Sequence, residues 1–413
     1  MNHKQVLIIG SVWPEPNSSA AGSRMMQLIQ LFIEESYAVI FATATAESTY
    51  RYPLEELGVS IKEIELNDIS FDDYVNNLDP EVVLFDRFMT EEQFGWRVEK
   101  NSPNSIRILD TEDLHCLRKA RQLATKEQRK FSLEDLNSDI AKREVASIFR
   151  SDLSLMISSY EMDLLHGFFH VPKSIICYVP FLLEAIDEHQ KSDLPEFEER
   201  AHFVTIGSFR HEPNWDSVLF IKQEIWPVLR KKLPQAEMHI YGSYPPEKAM
   251  QLHKPSENFF IKGWAEDASE VLKSARVLLA PLRFGAGLKG KFVDAMQNGL
   301  PSVTTEIGAE AMHENLPWCG VVENEIVTIV SAAENLYTDE ENWNKAQQKG
   351  FKIIEQCYSK EKFSKELLKN ISVIQEDIKR HRNSNFIGSM LLFHSMRSTE
   401  FMSRWIEEKN KKQ

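Results

Sequence analysis

The sequence has few cysteines and no long run of apolar residues. Its four cysteines are scattered over 413 residues without a CxxC or paired spacing, which indicates neither a zinc site nor a disulfide framework. No stretch approaches the ~18 uninterrupted apolar residues that a membrane span needs. The first apolar run, Val6–Ile9 after Met1–Gln5, is too short for the core of a secretory signal peptide. These absences lead us to expect a soluble, cytoplasmic enzyme or binding protein.

The sequence also has fewer positively than negatively charged residues. The chain has 48 lysines and arginines against 62 aspartates and glutamates, a net charge of -14. Binding along nucleic acid depends on many phosphate contacts, so this balance argues against a nucleic-acid partner. A small phosphorylated ligand held by a few local cations is compatible with it.

The chain is too long for one ordinary core, so two or more domains are expected. Short apolar runs alternate with helical patterns, as in parallel sheets covered by helices, and this alternation stops once and then restarts. We therefore predict an α/β fold with two Rossmann-like domains facing each other across a cleft. The predicted bounds are 1–182 for the N-terminal domain, 183–200 for a linker, 201–360 for the C-terminal domain and 361–413 for a helical tail.

Ten strands carry this prediction, and the cleft should lie at their carboxyl ends. The predicted strands are Val6–Ile9, Ala38–Ala42, Glu81–Phe85, Ile106–Leu109, Leu153–Ile157, Ile175–Tyr178, Phe203–Ile206, Met238–Tyr241, Val277–Ala280 and Ser302–Thr305. Helical patterns between them are Ser23–Glu35, Leu117–Arg150, Trp215–Lys232 and Lys291–Asn298.

Two amphipathic stretches in the tail are predicted to pack back on the N-terminal domain. Apolar residues recur at steps of three or four in the first stretch, at Phe363, Leu367, Ile371, Ile374 and Ile378. The second stretch holds Phe386, Met390, Phe393, Phe401 and Trp405, and ends in Lys409, Lys411 and Lys412. Weak docking on a membrane surface is the alternative, which the acidic neighbours Glu407 and Glu408 disfavour.

The loop after the first strand, residues 10–24, is long and rich in small residues. Such a loop entering a helix presents backbone N–H groups to phosphate or sugar oxygens. The alternative is an ordinary connection in which Ser23 caps the helix. The GxGxxG pattern of dinucleotide-binding proteins is absent from it.

A glycine-rich, lysine-bearing segment at 280–296 gives the strongest indication of chemistry. A strand ends there, Gly285, Gly287 and Gly290 open a turn, and a helix follows. Glycines allow backbone amides to approach an anion, and Lys289 and Lys291 supply countercharge for a diphosphate. Asp294 lies one helical turn on, where an acid accepts hydrogen bonds from ribose hydroxyls. The alternative is a solvated basic loop.

This segment resembles the nucleotide-binding region of the group 1 (family 4) retaining glycosyltransferases of GT-B fold. The resemblance spans residues 203–311 and is looser in the N-terminal domain. Its motifs are 204–214, 225–227, 240–243, 261–264, 283–296, 299–305 and 308–310, with 109–115 and 158–161 upstream.

The resemblance implies a hexosyltransferase-type enzyme that moves a sugar, with retention, from a nucleotide-diphosphate sugar to a hydroxyl of a glycan, lipid-linked or small-molecule acceptor. Because no cluster of acidic ligands lies beside the glycine loop, we expect no metal ion and no other cofactor. The N-terminal domain would serve the acceptor and the C-terminal domain the donor. Arg210 and Lys289 would hold the diphosphate, and the further donor-side positions are Gly22, Lys262, Gly263, Gly285, Gly287, Lys291, Asp294 and Glu310.

One departure from the family pattern lies in the glycine loop. Ala286 stands eight positions before Asp294, where the family usually has the acid that contacts the donor sugar. A nucleotide-sugar-binding scaffold without turnover is therefore one alternative function. A sugar-nucleotide epimerase or hydrolase is another.

Charged residues cluster after the strand at 106–109: Asp110, Glu112, Asp113 and His115. A carboxylate there can orient an acceptor hydroxyl or take up its proton, and Asp113 is predicted to be catalytic together with Arg210 and Lys289. The alternative is that Asp113 caps the next helix and His115 packs against it. Asp86 and Arg87 are predicted to form a structural ion pair, and the basic run at 118–130 is predicted to be a solvated helix face.

Overall fold

The computed structural model describes residues 4–411. Met1, Asn2 and His3, and the predicted tail residue Lys412, lie outside this range. The described residues form two parallel α/β sheets covered by helices. Within residues 4–411, no helix is long and apolar enough to cross a membrane.

The first sheet has seven parallel strands in the order β3-β2-β1-β4-β5-β6-β7. Its strands are β1 (Gln5–Gly10), β2 (Ala38–Thr43), β3 (Ser60–Glu63), β4 (Val82–Asp86), β5 (Ile106–Asp110), β6 (Leu153–Met156) and β7 (Ile176–Tyr178). The central strands β4 and β5 are buried along their whole length because helices cover both faces of the sheet.

The second sheet has six parallel strands in the order β10-β9-β8-β11-β12-β13. Its strands are β8 (Ala201–Ile206), β9 (Met238–Tyr241), β10 (Phe259–Gly263), β11 (Ala275–Ala280), β12 (Ser302–Thr304) and β13 (Gly320–Val322). The order reverses beside the first strand in both sheets, as in dinucleotide-binding folds, so the prediction of two Rossmann-like domains is confirmed.

Helices connect the strands and form the tail. They are α1 (Ala20–Glu34), α2 (Ser70–Leu78), α3 (Arg87–Asn101), α4 (His115–Lys126), α5 (Asp139–Arg150), α6 (Ser159–Gly167), α7 (Glu188–Ser192), α8 (Glu212–Phe220), α9 (Trp226–Lys232), α10 (Glu247–Met250), α11 (Ala268–Ser274), α12 (Gly290–Gln297), α13 (Glu306–Ala309), α14 (Ile326–Thr338), α15 (Glu340–Cys357), α16 (Lys360–Glu376), α17 (Ile378–Ser384) and α18 (Phe386–Asn410).

All ten predicted strands are present, and β3, β10 and β13 are additional. β3 and β10 are sheet-edge strands with polar or mixed sequences, and β13 has three residues, so their apolar pattern is weak. The single helix predicted at 117–150 is wrong, because α4 ends at Lys126 and α5 starts at Asp139. Between the two helices lies a short 3₁₀ helix, Leu133–Leu136, whose start is capped by Ser132 and Asp135 in a capping box.

The prediction that both amphipathic stretches of the tail pack on the N-terminal domain is confirmed for the apolar face of the first stretch and wrong for that of the second. Phe363, Leu367, Ile371 and Ile374 on α16 are buried in the core of the first domain, as predicted. The second stretch belongs to α18, which does pack against α3 and α5. Its predicted apolar face does not: Phe386, Met390, Phe393, Phe401 and Trp405 are all exposed. Polar contacts on the opposite side of α18 hold it to the domain and turn this face outward.

Candidate active site

A cleft of about 470 Å³ lies between the two domains, where the carboxyl ends of both sheets face each other. The first domain contributes the loop after β1 and residues after β4 and β5. The second domain contributes residues 206–214 after β8 and 282–294 after β11. Of the predicted site residues, Asp113, Arg210, Gly285, Lys289, Lys291 and Asp294 line this cleft.

Lys289 supplies a buried positive charge beside the glycine loop. Its side chain is only 8% exposed, and its Nζ has no hydrogen-bond partner among the described residues. Burial lowers the pKa of Lys289 to about 8, an effect that Glu310 partly offsets. Burying an ammonium group without a partner costs free energy in the ligand-free protein. A bound anion that pairs with the ammonium group offsets this cost.

Lys291 and Asp294 lie on the first turns of α12, at the edge of the same cleft. Lys291 Nζ donates to Asn214 Oδ1 at 2.8 Å. Burial lowers the pKa of Lys291 to about 7 and raises the pKa of Asp294 to about 7, and each residue partly offsets the shift of the other. The helix start, with its free backbone N–H groups, adds to the preference for an anion here.

Arg210 is exposed and stacks on an aromatic ring, with its guanidinium carbon 3.5 Å from the centre of Tyr244. The Tyr244 hydroxyl donates to Glu15 Oε1 of the first domain at 2.7 Å. The position of Arg210 therefore depends on a residue that joins the two domains.

Glu161, from the first domain, holds the glycine loop of the second. Its Oε1 accepts from the N–H of Gly287 at 2.8 Å and from the N–H of Leu114 at 3.0 Å. Its Oε2 is buried and has no partner within residues 4–411. Burial, with the nearby Asp113, raises the pKa of Glu161 to about 8. Sequence reasoning noted Glu161 only as part of a loosely matched motif, since its contact lies 126 positions away.

Asp113 is paired with its neighbours. Arg118 donates to its carboxylate, and His115 Nε2 lies 3.4 Å from it. Although burial opposes ionisation, Arg118 and His115 bring the pKa of Asp113 below its usual value. Asp113 is therefore a well-stabilised carboxylate, and its catalytic role stays a prediction.

Glu112 differs from Asp113 although it lies beside it. Burial and the nearby Asp110 raise the pKa of Glu112 to about 8. Asp110 itself forms a buried ion pair with Arg24 at 2.8 Å. Asp86 and Arg87 form the predicted ion pair, at 3.6 Å. The pKa values of Glu112 and Asp113 are thus shifted in opposite directions, although the two residues are adjacent in the chain.

A comparison with protein-family models identifies the second domain. Residues 200–339 match the model of the group 1 glycosyl transferases. These residues form a group 1 glycosyl transferase domain. A curated relative, an uncharacterized 44.6 kDa protein in the cps region of Klebsiella pneumoniae, is 22% identical over 235 residues. The match covers 55% of this chain and 58% of that protein.

Solved glycosyltransferases share the whole two-domain architecture. S. aureus TarM superimposes with a TM-score of 0.68 at 11% identity, over 89% of this chain and 99% of its own. Anabaena HepE gives 0.64 at 11% identity, over 90% and 100%. WaaG, a glycosyltransferase involved in lipopolysaccharide biosynthesis, gives 0.59 at 14% identity, over 88% and 98%. The fold is therefore GT-B.

Five positions that the group 1 resemblance assigned to the donor side do not line the cleft: Gly22, Lys262, Gly263, Gly287 and Glu310. Gly22 packs on the backbone of Glu15, where a Cβ atom would come within 2.4 Å, and Ser19 rather than Ser23 caps α1. Lys262 is exposed, and Gly263 accepts from the N–H of Gly242 at 2.8 Å. Gly287 faces Glu161 instead.

Glu310, a further position in the group 1 motif, joins the two domains. Two hydrogen bonds of 2.7 Å connect it with Arg121, which also donates to the Gly285 carbonyl at 2.9 Å. The prediction that the basic run at 118–130 is a solvated face is therefore wrong for Arg121, which is 5% exposed. Closure of the domains buries it. Ala286, at the usual acid position, packs against the core of the first domain.

Proposed function

We propose that this protein transfers a glycosyl group, with retention, from a nucleotide-diphosphate sugar to a hydroxyl of a glycan or lipid-linked acceptor. The observation that carries the proposal is the buried, unpartnered ammonium of Lys289 beside a glycine loop in the interdomain cleft. A diphosphate is the anion that fits this loop–lysine–helix arrangement.

A UDP-sugar is the donor that we would test first. TarM has been solved in complex with UDP, and HepE in complex with UDP and glucose. Both share the fold of this chain at 11% identity. Their ligands support a UDP-sugar here as a proposal for the same cleft.

Stabilisation of the leaving diphosphate is the proposed source of rate enhancement. Lys289, Lys291 and Arg210 supply positive charge from side chains, and the domains enclose the site, which strengthens each interaction. We propose that these cations take the place of a metal ion, so that transfer continues in the presence of a chelator.

Glu112 is the residue that we propose for the acceptor side. It lines the cleft opposite the glycine loop, and its raised pKa suits a group that takes up a hydroxyl proton near neutral pH. Asp113 is the alternative.

The donor site is tested by thermal unfolding in the presence of UDP-, GDP-, dTDP- and CMP-sugars. A ligand at about one hundred times its Kd stabilises the native state by about 2.7 kcal/mol. We expect UDP-sugars to raise the Tm of the wild type and to leave the Tm of Lys289→Ala unchanged. Lys231→Ala, which removes an exposed lysine outside the cleft, is the matched control and should keep the shift.

The stability of ligand-free Lys289→Ala separates lost binding from misfolding. Removing an unpartnered buried ammonium should not lower the Tm of the free protein. An equal ligand response in Lys289→Ala and the wild type would contradict the donor site.

An inactive nucleotide-sugar-binding scaffold is a second candidate, because Ala286 replaces the usual acid. Donor binding without transfer to any acceptor would favour it. Release of free sugar or of an epimer without acceptor would instead favour a hydrolase or an epimerase.

A further inference from the structure

Helix α18 presents a stripe of large apolar side chains to solvent. The exposed fractions are 76% for Phe386, 44% for Met390, 54% for Phe393, 70% for Phe401 and 63% for Trp405. Their spacing places them on one side of the helix, over about 28 Å. An exposed apolar surface of this extent marks an interaction site.

Polar contacts fix the other side of α18 to the first domain. Arg97 donates to Ser403 Oγ at 2.9 Å and to the Glu407 carboxylate, and both acceptors are buried. Arg404 pairs with Asp72 at 2.7 Å. Rotation of the helix to bury the apolar stripe would break these contacts and leave the buried Nη2 of Arg97 without its acceptors on α18, with only the Nη1 bond to Asp72 remaining. The stripe is therefore held outward.

The segment that carries the stripe is basic, unlike the rest of the chain. Helices α17 and α18, residues 378–410, contain six lysines and arginines against three glutamates, a net charge of +3, whereas the whole chain carries -14. Two of these cations lie on the aromatic rings of the stripe. Arg397 stacks on Phe393 at 4.0 Å, and Lys409 lies 5.4 Å from Trp405.

A cavity of about 420 Å³ opens at the edge of the stripe, between α18 and the first domain. Its lining includes Phe393, the cations Lys100, Arg107, Arg150, Arg382 and Arg397, and the acids Glu99, Asp152 and Glu400. Arg107 is buried, and its Nε and Nη1 have no hydrogen-bond partner in the described part of the chain. Asp152, the acid that faces it, is shared with Arg382, whose Nη2 lies 2.8 Å away. The Nε and Nη1 groups of Arg107 are thus available to an anionic group that enters the cavity.

We propose that α18 docks on an anionic lipid surface, with the stripe in the interfacial layer and the cations beside phosphate headgroups. Aromatic side chains on one face with flanking cations are the features of an interfacial helix. A second copy of this chain fits less well, because a symmetric contact would bring the net positive charge of α17 and α18 in one copy against the same charge in the other.

The experiment is co-sedimentation of the full chain with vesicles of phosphatidylglycerol and phosphatidylcholine in about equal amounts. The variant Phe393→Ser/Phe401→Ser/Trp405→Ser removes three exposed side chains that lie outside the donor cleft. We expect the wild type to bind the vesicles and the variant to bind them at least about tenfold more weakly. Val327→Ser/Val373→Ser, at residues 77% and 57% exposed elsewhere, is the matched control and should bind like the wild type.

Three outcomes would overturn the proposal. They are the absence of vesicle binding by the wild type, equal binding by the triple variant, and equal binding to pure phosphatidylcholine vesicles. A concentration-dependent dimer that the triple variant abolishes, without vesicle binding, would identify a second copy as the occupant instead. An unchanged Tm in the triple variant confirms that it is folded.

Discussion

At the scale of single residues, two charged side chains at the ends of neighbouring strands have left-handed backbone conformations. Arg87 follows β4 with φ 67°, and Glu112 follows β5 with φ 63°. For residues other than glycine such conformations cost about 1–3 kcal/mol each and cluster at functional sites. Both side chains line the cleft. This backbone strain is consistent with a positioned, functional Glu112.

Glu112→Gln should lower kcat about a hundredfold if Glu112 is the proton acceptor. Because the pKa of Glu112 is raised to about 8, its carboxylate form increases as the pH rises toward and past that value. At saturating donor, where pairing with the diphosphate raises the pKa of Lys289 and Lys291 and keeps them charged, the wild-type rate should therefore rise with pH and level off above about 8. In Glu112→Gln this rise should be absent, as measured by glycosyl transfer across the pH range.

Asp113→Asn tests the sequence-based alternative in the same assay. The pKa of Asp113 is held low by Arg118 and His115, so its charge does not change near neutral pH. A large loss of kcat in Asp113→Asn with an intact pH profile in Glu112→Gln would reverse the assignment.

At the scale of elements, the glycine loop before α12 depends on the first domain for its shape. Gly287 has φ 61°, and a Cβ atom built on it would come within 2.8 Å of the Asp113 Cβ. The loop can therefore adopt this position only with glycine at 287, because a side chain there would collide with Asp113 beyond the end of β5.

Gly287→Ala should lower the free energy of unfolding by about 1–3 kcal/mol and weaken donor binding, because the new methyl group strains the backbone and presses on Asp113. Thermal unfolding with and without UDP-sugar measures both effects. Gly167→Ala is the control: Gly167 ends α6, and a Cβ atom there meets nothing within 4 Å. Equal behaviour of the two variants would show that the close approach at Gly287 has no energetic consequence.

At the scale of the whole molecule, contacts on both flanks of the cleft hold the domains together. Arg121 and Glu310 pair on the flank of β5 and β12. On the other flank Tyr50, from the first domain, stacks on Trp264, which follows β10, with ring centres 4.4 Å apart. The structure thus corresponds to a closed form, and lobe closure is expected to govern access to the site.

Arg121→Ala/Trp264→Ala removes one contact from each flank and should open the cleft. We expect a larger radius of gyration by small-angle X-ray scattering and a donor KM about tenfold higher, because the separated halves no longer position the donor together. Each domain keeps its own core, so the Tm of the variant should change less than the KM. An unchanged radius of gyration would show that other contacts suffice for closure.

The sequence alone determined the two parallel sheets and the glycine loop with its lysines. Both depend on neighbours in the chain: apolar runs define buried strands, and the spacing of Gly285, Lys289, Lys291 and Asp294 brings these residues to one strand–loop–helix connection. The buried positions on α16 were predicted for the same reason, since one helical face suffices to show them.

Only the tertiary structure decided which groups meet across the cleft and which face of α18 is buried. The Glu161–Gly287 and Arg121–Glu310 contacts join residues 126 and 189 positions apart, and no local pattern records such pairings. Helical periodicity shows that α18 has an apolar face but not what lies against it. The ion pairs of Arg97 and Arg404 hold its polar side to the domain, because a buried charge must be paired, and the apolar face is left for a partner.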